Sequence, residues 1–234
     1  MNESQSLETL LLIPLEDSVV FPNMSVTLPL DPGEEERVFL VPQRDGEFAD
    51  VGTVAEVVER VRLPGGATAV GLFGLHRGRA GAAETGSDGR LRVQVEPHPD
   101  ETGTNQRIRE LDREYRAVVE EILELRDATR VAEFLRSITE PGPLADTAGY
   151  SPDLTFDQKV ELLETLDVEE RLRRAVELQR ERLAELQIRR SNWRCVQSGG
   201  RESTTRWKSL ARPIGGSLRR WAPAPRPAIL AYVS

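Results

Sequence analysis

The segment Leu10–Leu30, LLLIPLEDSVVFPNMSVTLPL, constrains the fold more than any other part of the chain. It contains two apolar runs, Leu10–Leu15 and Val19–Phe21, and then an alternating segment from Met24 to Leu30. Leucine-rich and β-branched runs that are bounded by turn residues are typical of strands. Proline has no backbone donor, so the three prolines of the segment should mark strand ends or bends. The segment therefore predicts two strands joined by a tight connection.

Further strand candidates follow at short intervals through the first part of the chain. They are the segments Arg37–Pro42, Val51–Val61, Ala67–Phe73 and Leu91–Val95. Turn signals that contain Asp-Gly, at Arg44-Asp45-Gly46 and Ser87-Asp88-Gly89, lie between them. Many short strands at this spacing favour a barrel or pseudo-barrel over a sheet built from βαβ units.

The pattern changes after residue 103, where apolar side chains begin to recur every three or four positions. This spacing predicts a first helix with one apolar face. Its stripe comprises Ile108, Leu111, Tyr115, Val118, Ile122 and Leu125. A second helix is predicted from about Asp127 to Ile138, with Val131, Phe134 and Ile138 facing inward. Two prolines around a glycine, Pro141-Gly142-Pro143, should stop it.

Two later helix starts are marked by capping-box spacings, Thr155-x-x-Gln158 and Asp167-x-x-Glu170. In each, the first side chain accepts a hydrogen bond from a free backbone N–H while the residue three positions on reaches back. A helix should therefore begin directly after each capping residue. The second of these helices is predicted to run to about Arg190.

Residues that carry chemistry are scarce. The two lysines, Lys159 and Lys208, do not follow a G-x-x-x-x-G sequence, so the chain has no phosphate-binding P-loop. The histidines His76 and His98 lie in turn-like sequence, and the single cysteine, Cys195, excludes an internal disulfide. No zinc-ligand spacing is present, and no apolar run approaches the length of a membrane span. The sequence predicts no catalytic residue, no cofactor and no metal site.

Several of these elements resemble one known family. The opening segment resembles the start of the N-terminal domain of Lon, the ATP-dependent protease. The segment Val70–Arg79 is similar to the family's strand pair around a Gly-Leu-x-Arg turn, with the turn at Gly74, Leu75 and Arg77. The Leu-Ala-Asp segment that ends at Asp146 is also similar to that of the family. The longest match is a Gln-Lys-x-x-Leu-Leu-Glu-Thr-x-Asp-Val-x-x-Arg-Leu motif, made of Gln158, Lys159, Leu162, Leu163, Glu164, Thr165, Asp167, Val168, Arg171 and Leu172. The resemblance extends from residue 7 to about residue 190.

The resemblance implies an α+β fold in two parts. Residues 1–102 would form a PUA-like β pseudo-barrel and residues 103–190 an α-helical subdomain. Composition sets off a third part, a basic tail of residues 191–234. One departure is that only Asp31–Glu36 fills the place of a helix usual in the family. A Lon protease needs a Walker lysine and a Ser–Lys dyad, and this chain has neither. It should therefore neither hydrolyse ATP nor cleave peptides, as expected of a truncated, non-catalytic piece of Lon.

The function that the resemblance implies is the binding of unfolded, damaged or tagged protein substrates in the cytoplasm, without a membrane. The same domain would support assembly, through contacts with full-length Lon subunits or with itself. Apolar residues in two turns are the candidate contact residues, because loops are usually polar. They are Phe21, Met24, Leu72, Phe73 and Leu75. The alternative role for these side chains is to close the ends of the barrel.

Residues 191–234 differ from everything before them. They hold eight of the 31 basic residues and one of the 39 acidic ones, a net charge of +7, which leaves −15 for residues 1–190. The tail is predicted to be disordered, either as a basic arm or as out-of-frame translation of a Lon gene. Two other functions stay open: a stand-alone adaptor or regulator, and an RNA-binding PUA-like protein. Negative charge argues against RNA on the barrel, so nucleic acid would bind, if at all, through the tail.

Overall fold

The computed structural model describes residues 7–62, 68–101 and 103–210. Within these ranges, side chains are described for all residues except 129–130 and 192–210. The chain divides into two units, Met1–Ile188 and Arg189–Ser234. The strands and most of the helical residues belong to the first unit.

Seven strands make up the first part of the described chain. They are β1 (Glu8–Leu15), β2 (Ser25–Leu28), β3 (Arg37–Arg44), β4 (Glu47–Phe48), β5 (Val51–Arg62), β6 (Thr68–Thr85) and β7 (Leu91–His98). β1 pairs antiparallel with β7 on one side and parallel with β3 on the other. Antiparallel pairs β3–β5, β5–β6 and β6–β7 complete a closed ring of five strands. The predicted pseudo-barrel is confirmed.

The connection between β1 and β2 differs from the prediction. The two strands do not pair with each other, because β2 adds to β6 instead. The run Val19–Phe21 is not a strand but a buried loop, and Asn23 turns the chain with φ 62°. Its apolar character therefore reflects burial of a loop in the core, which periodicity cannot distinguish from a short strand.

β6 is one strand of 18 residues, so the predicted turn at Gly74–Arg77 is wrong. The irregularity sits in the pairing: Val54 lies opposite His76 and Ala55 opposite Gly74, which leaves Leu75 as an extra residue of a bulge. Such a bulge bends a strand without ending it. On the same edge of β6, pairing with β2 gives way to pairing with β7.

Five α-helices and one 3-10 turn follow in the described chain. They are α1 (Gln106–Leu125), α2 (Thr129–Ser137), α3 (Pro141–Asp146), the turn Thr147–Tyr150, α4 (Phe156–Glu164) and α5 (Val168–Leu210). In α2 the inward residue is Leu135, whereas Val131 and Phe134, predicted to face inward, are exposed. Pro141 does not merely follow a helix but occupies the first turn of α3, where its missing N–H costs nothing.

α5 is longer than predicted, because it runs past Arg190 to Leu210. No proline occurs between Pro152 and Pro213, so no residue of that stretch forbids helical hydrogen bonding. The tail is predicted to be disordered from residue 191. Residues 191–210 are instead the C-terminal part of α5, and residues 211–234 lie outside the described residues.

Both predicted capping residues accept the expected hydrogen bonds. Thr155 Oγ1 accepts a hydrogen bond from the Gln158 N–H at 3.3 Å, and Gln158 Oε1 accepts one from the Thr155 N–H at 2.9 Å. Asp167 accepts from the Glu170 N–H at 2.8 Å. These bonds fix where α4 and α5 begin.

Replacing Thr155 with Ala should lower the free energy of unfolding by about 1 kcal/mol, because one backbone donor of α4 loses its acceptor. Thr155→Ser, which keeps the oxygen, is the matched control and should leave the free energy of unfolding nearly unchanged, because serine caps helices at least as well as threonine. Urea denaturation followed by far-UV circular dichroism measures both. Equal midpoints for the Ala and Ser variants would show that the cap does not stabilise the fold.

Apolar side chains form three buried clusters. Two lie within the strands, and the third lies among the helices. The third also contains Val19, Phe21 and Val51 from the barrel part of the chain. The helices and strands of the first unit therefore share a core. The division into two subdomains between residues 102 and 103 stays a prediction.

Candidate binding surfaces

Two of the five candidate contact residues lie in the core. Phe21 and Leu72 are both 0% exposed. The Phe21 ring meets the Tyr150 ring edge-on, with centroids 6.5 Å apart, and a Cβ at Gly149 would collide with it. Neither side chain can touch a bound polypeptide while the fold is intact. The burial of these two side chains agrees with the alternative role, in which they close the ends of the barrel.

The other three candidates are half-buried and lie in two places. Met24 packs partly against the cluster that contains Leu72, and Leu75 against the one that contains Phe39. Phe73 lies opposite Ser25 on β2 and Glu56 on β5. The structure therefore does not gather the five residues into one patch, and a binding role for Met24, Phe73 and Leu75 stays a prediction.

A buried ionic network connects the barrel to the helices. Arg77 on β6 makes a two-point contact with Asp146 of α3, with Nη2 2.6 Å from Oδ1 and Nη1 3.0 Å from Oδ2. Its Nε donates to the Leu163 carbonyl at 2.9 Å. Both charged side chains are 1% exposed. This two-point arrangement is the strong form of an arginine–carboxylate pair.

A second buried arginine extends the network to α5. Arg171 places Nε 3.2 Å from Asp146 Oδ1 and Nη2 2.6 Å from Asp100 Oδ2. Gly142 is required beside it, because a Cβ there would collide with the Asp100 carboxylate. Residues of three separate motifs, at 77, 146 and 171, thus meet in one place. Each is engaged in holding the fold, and none is free to do chemistry.

An open groove lies between the β3–β4 hairpin and α4, and we call it the β4–α4 groove. The hairpin turns at Asp45 and Gly46, whose φ angles of 51° and 87° suit the two-residue turn that Asp-Gly favours. The first cavity of the β4–α4 groove has a volume of about 500 Å³. The apolar side chains that line it are Pro42, Phe48, Ala49, Phe156 and Val160.

Helical spacing explains which α4 residues reach the groove. Phe156, Val160 and Glu164 recur every four positions and so share one face of the helix. Phe48, on the opposite wall, is 44% exposed. Fully burying a phenylalanine side chain is worth about 1.5–3 kcal/mol, so a ligand that covered the exposed part of Phe48 would gain part of that energy.

A second cavity of about 800 Å³ continues the groove along the same wall. The two cavities share Arg44, Asp45, Phe156 and Asp157. Between them the Arg44 guanidinium pairs with the Asp157 carboxylate, joining hairpin to helix. The Asp50 N–H donates to Glu164 Oε1 at 3.1 Å and ties the walls a second time. The barrel part of the chain and α4 are thus linked at two points beside the groove.

The rim of the β4–α4 groove is acidic. The carboxylates that line its two cavities are Glu16, Asp17, Asp45, Glu47, Asp157, Glu161 and Glu164. In the part of the chain that the structure describes, Arg44 is the one cation lining them, and Asp157 engages it. Glu161 pairs with Arg174, a contact that raises the pKa of that arginine. Glu16, Asp17 and Glu47 have no ion-pair partner among the described residues.

Shifted pKa values lie mainly in the packed core and at helix contacts. Burial raises the pKa of Tyr150 to about 12 and that of Tyr115 further still, although the latter is hydrogen-bonded to Thr147 at 2.8 Å. For Asp153, burial acts to raise the pKa, but hydrogen bonding and charge from Arg126, with Arg182 beside it, outweigh burial and lower it. These shifts reflect packing and ion pairing.

Other kinds of site find no support in the described residues. No group of three His, Cys, Asp or Glu side chains is placed to hold a metal ion there. His76, predicted in a turn, lies within β6, with Nδ1 2.9 Å from the Arg77 carbonyl oxygen. Among the helices of the described chain, none is both long and apolar enough to cross a membrane.

Comparison with known proteins agrees with the motifs. The family model of the ATP-dependent protease La (LON) substrate-binding domain matches residues 9–180. Lon protease of Chloroflexus aurantiacus is 38% identical over 207 residues, which cover 80% of this chain and 25% of that protein. Lon protease of Salinispora arenicola is 37% identical over 197 residues, covering 78% and 25%. The chain thus spans about a quarter of the curated relatives it matches.

Solved structures show the same architecture. The N-terminal domain of Mycobacterium avium complex Lon protease superposes with a TM-score of 0.66 at 30% identity, covering 74% of this chain and 98% of that one. A Lon N-terminal domain protein from Xanthomonas campestris gives a TM-score of 0.55 at 18% identity, covering 73% and 98%. At that identity the second match speaks to the fold alone. The sheet followed by helices is a known arrangement.

Proposed function

Because the chain belongs to the family of ATP-dependent protease La (LON) substrate-binding domains, we propose that it holds unfolded or damaged polypeptides for an ATP-dependent protease. The family match over residues 9–180 is the observation that carries this proposal. The chain itself contains no Walker lysine and no Ser–Lys dyad, so its contribution is binding rather than catalysis. We propose that it binds tagged protein substrates in the same way.

The geometry supports binding of extended polypeptide. Unfolded chains differ from folded ones in exposing apolar side chains, and a binder must therefore offer apolar surface in a concave setting. The β4–α4 groove offers it, with Phe48, Phe156 and Val160 along its length. Met24, Phe73 and Leu75 are half-buried at separate places and are further candidate contacts.

Assembly with other Lon subunits, or of the chain with itself, is the second part of the proposal. Exposed apolar side chains outside the groove, such as Val131 and Phe134 on α2, would suit such contacts. We place this work in the cytoplasm, away from membranes. Nucleic acid is a poor partner for residues 1–190, because a net charge of −15 repels phosphates.

A titration of the full chain tests the binding function. The probe is a fluorescein-labelled secreted protein that has been reduced and carboxymethylated so that it cannot refold, and the control is the same protein in its native, disulfide-bonded form. Fluorescence anisotropy should show saturable binding of the unfolded form, at least about tenfold tighter than that of the native form. Equal or unsaturable binding of the two forms would exclude the proposal.

The same titration tests a role for the half-buried candidate Phe73. Phe73→Ser should weaken binding of the unfolded probe if this side chain takes part. Thr27→Ser on the adjoining strand β2 is an exposed control that removes one methyl group rather than an aromatic ring. An unchanged affinity for Phe73→Ser, with both variants folded, would remove Phe73 from the proposed site.

A further inference from the structure

We infer that the β4–α4 groove selects polypeptide segments in which apolar side chains are flanked by lysine or arginine. This inference rests on the proposed function, because it names the class of substrate sequence that one site would take. It is carried by three features found together: an apolar floor, an exposed aromatic side chain, and a rim whose charges are mainly negative.

The floor sets the apolar part of the preference. Phe48, Phe156 and Val160 face a cavity of about 500 Å³, which lies within the range of sites that bury a few side chains of a ligand. Phe48 is 44% exposed and sits on a two-residue strand that is fixed by pairing with Gln43 and Arg44. It can therefore gain burial from a bound side chain without any rearrangement of the barrel.

The rim sets the charged part. Seven carboxylates line the two cavities, and the cation among them, Arg44, is already paired with Asp157. Glu16, Asp17 and Glu47 have no ion-pair partner among the described side chains. A bound segment that brings lysine or arginine to this rim neutralises it, whereas one that brings glutamate adds like charge. Charge complementarity therefore identifies a cationic, apolar segment as the occupant.

The shape suits an extended chain. The two cavities share four lining residues, and the exposed contacts Arg44–Asp157 and Asp50–Glu164 link the barrel part of the chain to α4 beside them. A groove that is already formed costs little ordering on the protein side when a flexible segment binds.

Three labelled peptides of equal length test the inference on the full chain. One has a Leu-Phe-Leu centre flanked by arginines, one has the same centre flanked by glutamates, and one has a Ser-Gly-Ser centre flanked by arginines. Anisotropy should show the first binding at least about tenfold tighter than either of the others, and weakening about tenfold between 50 mM and 500 mM salt as the charges are screened. Equal affinities for the three peptides would overturn the inference.

Two variants locate the binding. Phe48→Ser should weaken the arginine-flanked apolar peptide about tenfold, and Glu47→Lys should reduce its preference over the glutamate-flanked one. Glu59→Lys is the charge-matched control, because Glu59 is an exposed residue near the opposite end of β5, about 25 Å from Val51 along an extended strand. Circular dichroism confirms folding of each variant. Peptide binding that survives Phe48→Ser and Glu47→Lys as well as it survives Glu59→Lys would overturn the site.

Other occupants give different results. If Phe48→Ser dissociates a dimer in sedimentation velocity and leaves peptide binding unchanged, a second copy fills the groove and the inference is overturned. If Arg219→Glu with Arg220→Glu raises peptide affinity in the full chain, the chain's own basic segment fills it, with the same consequence. If the reduced, carboxymethylated protein binds but the peptides are not discriminated, the inference fails while the proposed function stands. If neither binds, both fail.

Discussion

Replacing Asp146 with Ala should lower the free energy of unfolding by about 3–5 kcal/mol, a large share of the roughly 5–15 kcal/mol that a domain possesses. The carboxylate is 1% exposed and is contacted by two buried arginines, Arg77 and Arg171. Removing it leaves the buried Arg77 guanidinium without a close partner, because its remaining ion pair, with Asp100, spans 3.9 Å and Asp100 already pairs with Arg171. Urea denaturation of the full chain, followed by far-UV circular dichroism, measures the loss.

A double-mutant cycle separates the network from simple loss of packing. Arg77→Met with Asp146→Ala should cost less than the sum of the two single changes, with a coupling of about 1–3 kcal/mol, because the second change removes the orphaned charge. Glu120→Ala, which breaks the exposed pair with Arg136, is the surface control and should cost less than about 1 kcal/mol. An Asp146→Ala midpoint no lower than that of the control would refute the structural role of the network.

Phe21→Ala should destabilise the protein by about 3–5 kcal/mol, because it leaves a cavity where the ring packs against Gly149 and Tyr150. This outcome distinguishes a core residue from a surface residue that touches substrate. Phe48→Ala is the matched control, since that ring is 44% exposed, and it should cost less than about 1 kcal/mol. Thermal and urea unfolding of both variants measure the difference.

The contact between Phe21 and Gly149 supplies a second check. Gly149→Ala alone should cost about 1–3 kcal/mol, because the added methyl group collides with the ring. In the Phe21→Ala background the same change should cost much less, since the space is already open. Strict additivity of the two changes, or a Phe21→Ala variant as stable as Phe48→Ala, would contradict the packing described for this loop.

Local signals in the sequence predicted local structure well. The bonds between Thr155 and Gln158 and the Asp-Gly turn at Asp45 involve residues within a few positions of each other, so their chemistry is visible in the sequence. The closure of the barrel is different in kind. It depends on β1 finding both β3 and β7, and the β-rich pattern with the family resemblance indicated a pseudo-barrel without indicating these partners.

The site was harder to predict for two reasons. Apolar residues in loops, such as Phe21, satisfy a core as readily as a binding surface, and only the packing of distant residues decides between them. The buried charges posed the opposite difficulty: Arg77 and Asp146 lie 69 positions apart, and charged residues in a sequence are usually solvated. For the groove, the sequence offers one weak signal, which is Phe48 beside an acidic turn. The second wall comes from α4, far along the chain, so the sequence alone does not predict the groove.

Photo-crosslinking from the groove tests the central claim most directly. In the full chain Phe48 is replaced by a photoreactive benzophenone amino acid, and the same replacement at Glu59 serves as the reference position. Irradiation with the reduced, carboxymethylated protein should give a strong crosslink from position 48, weak labelling from position 59, and little labelling of the native, disulfide-bonded form. Equal yields from the two positions, or equal yields with the unfolded and native forms, would contradict the account.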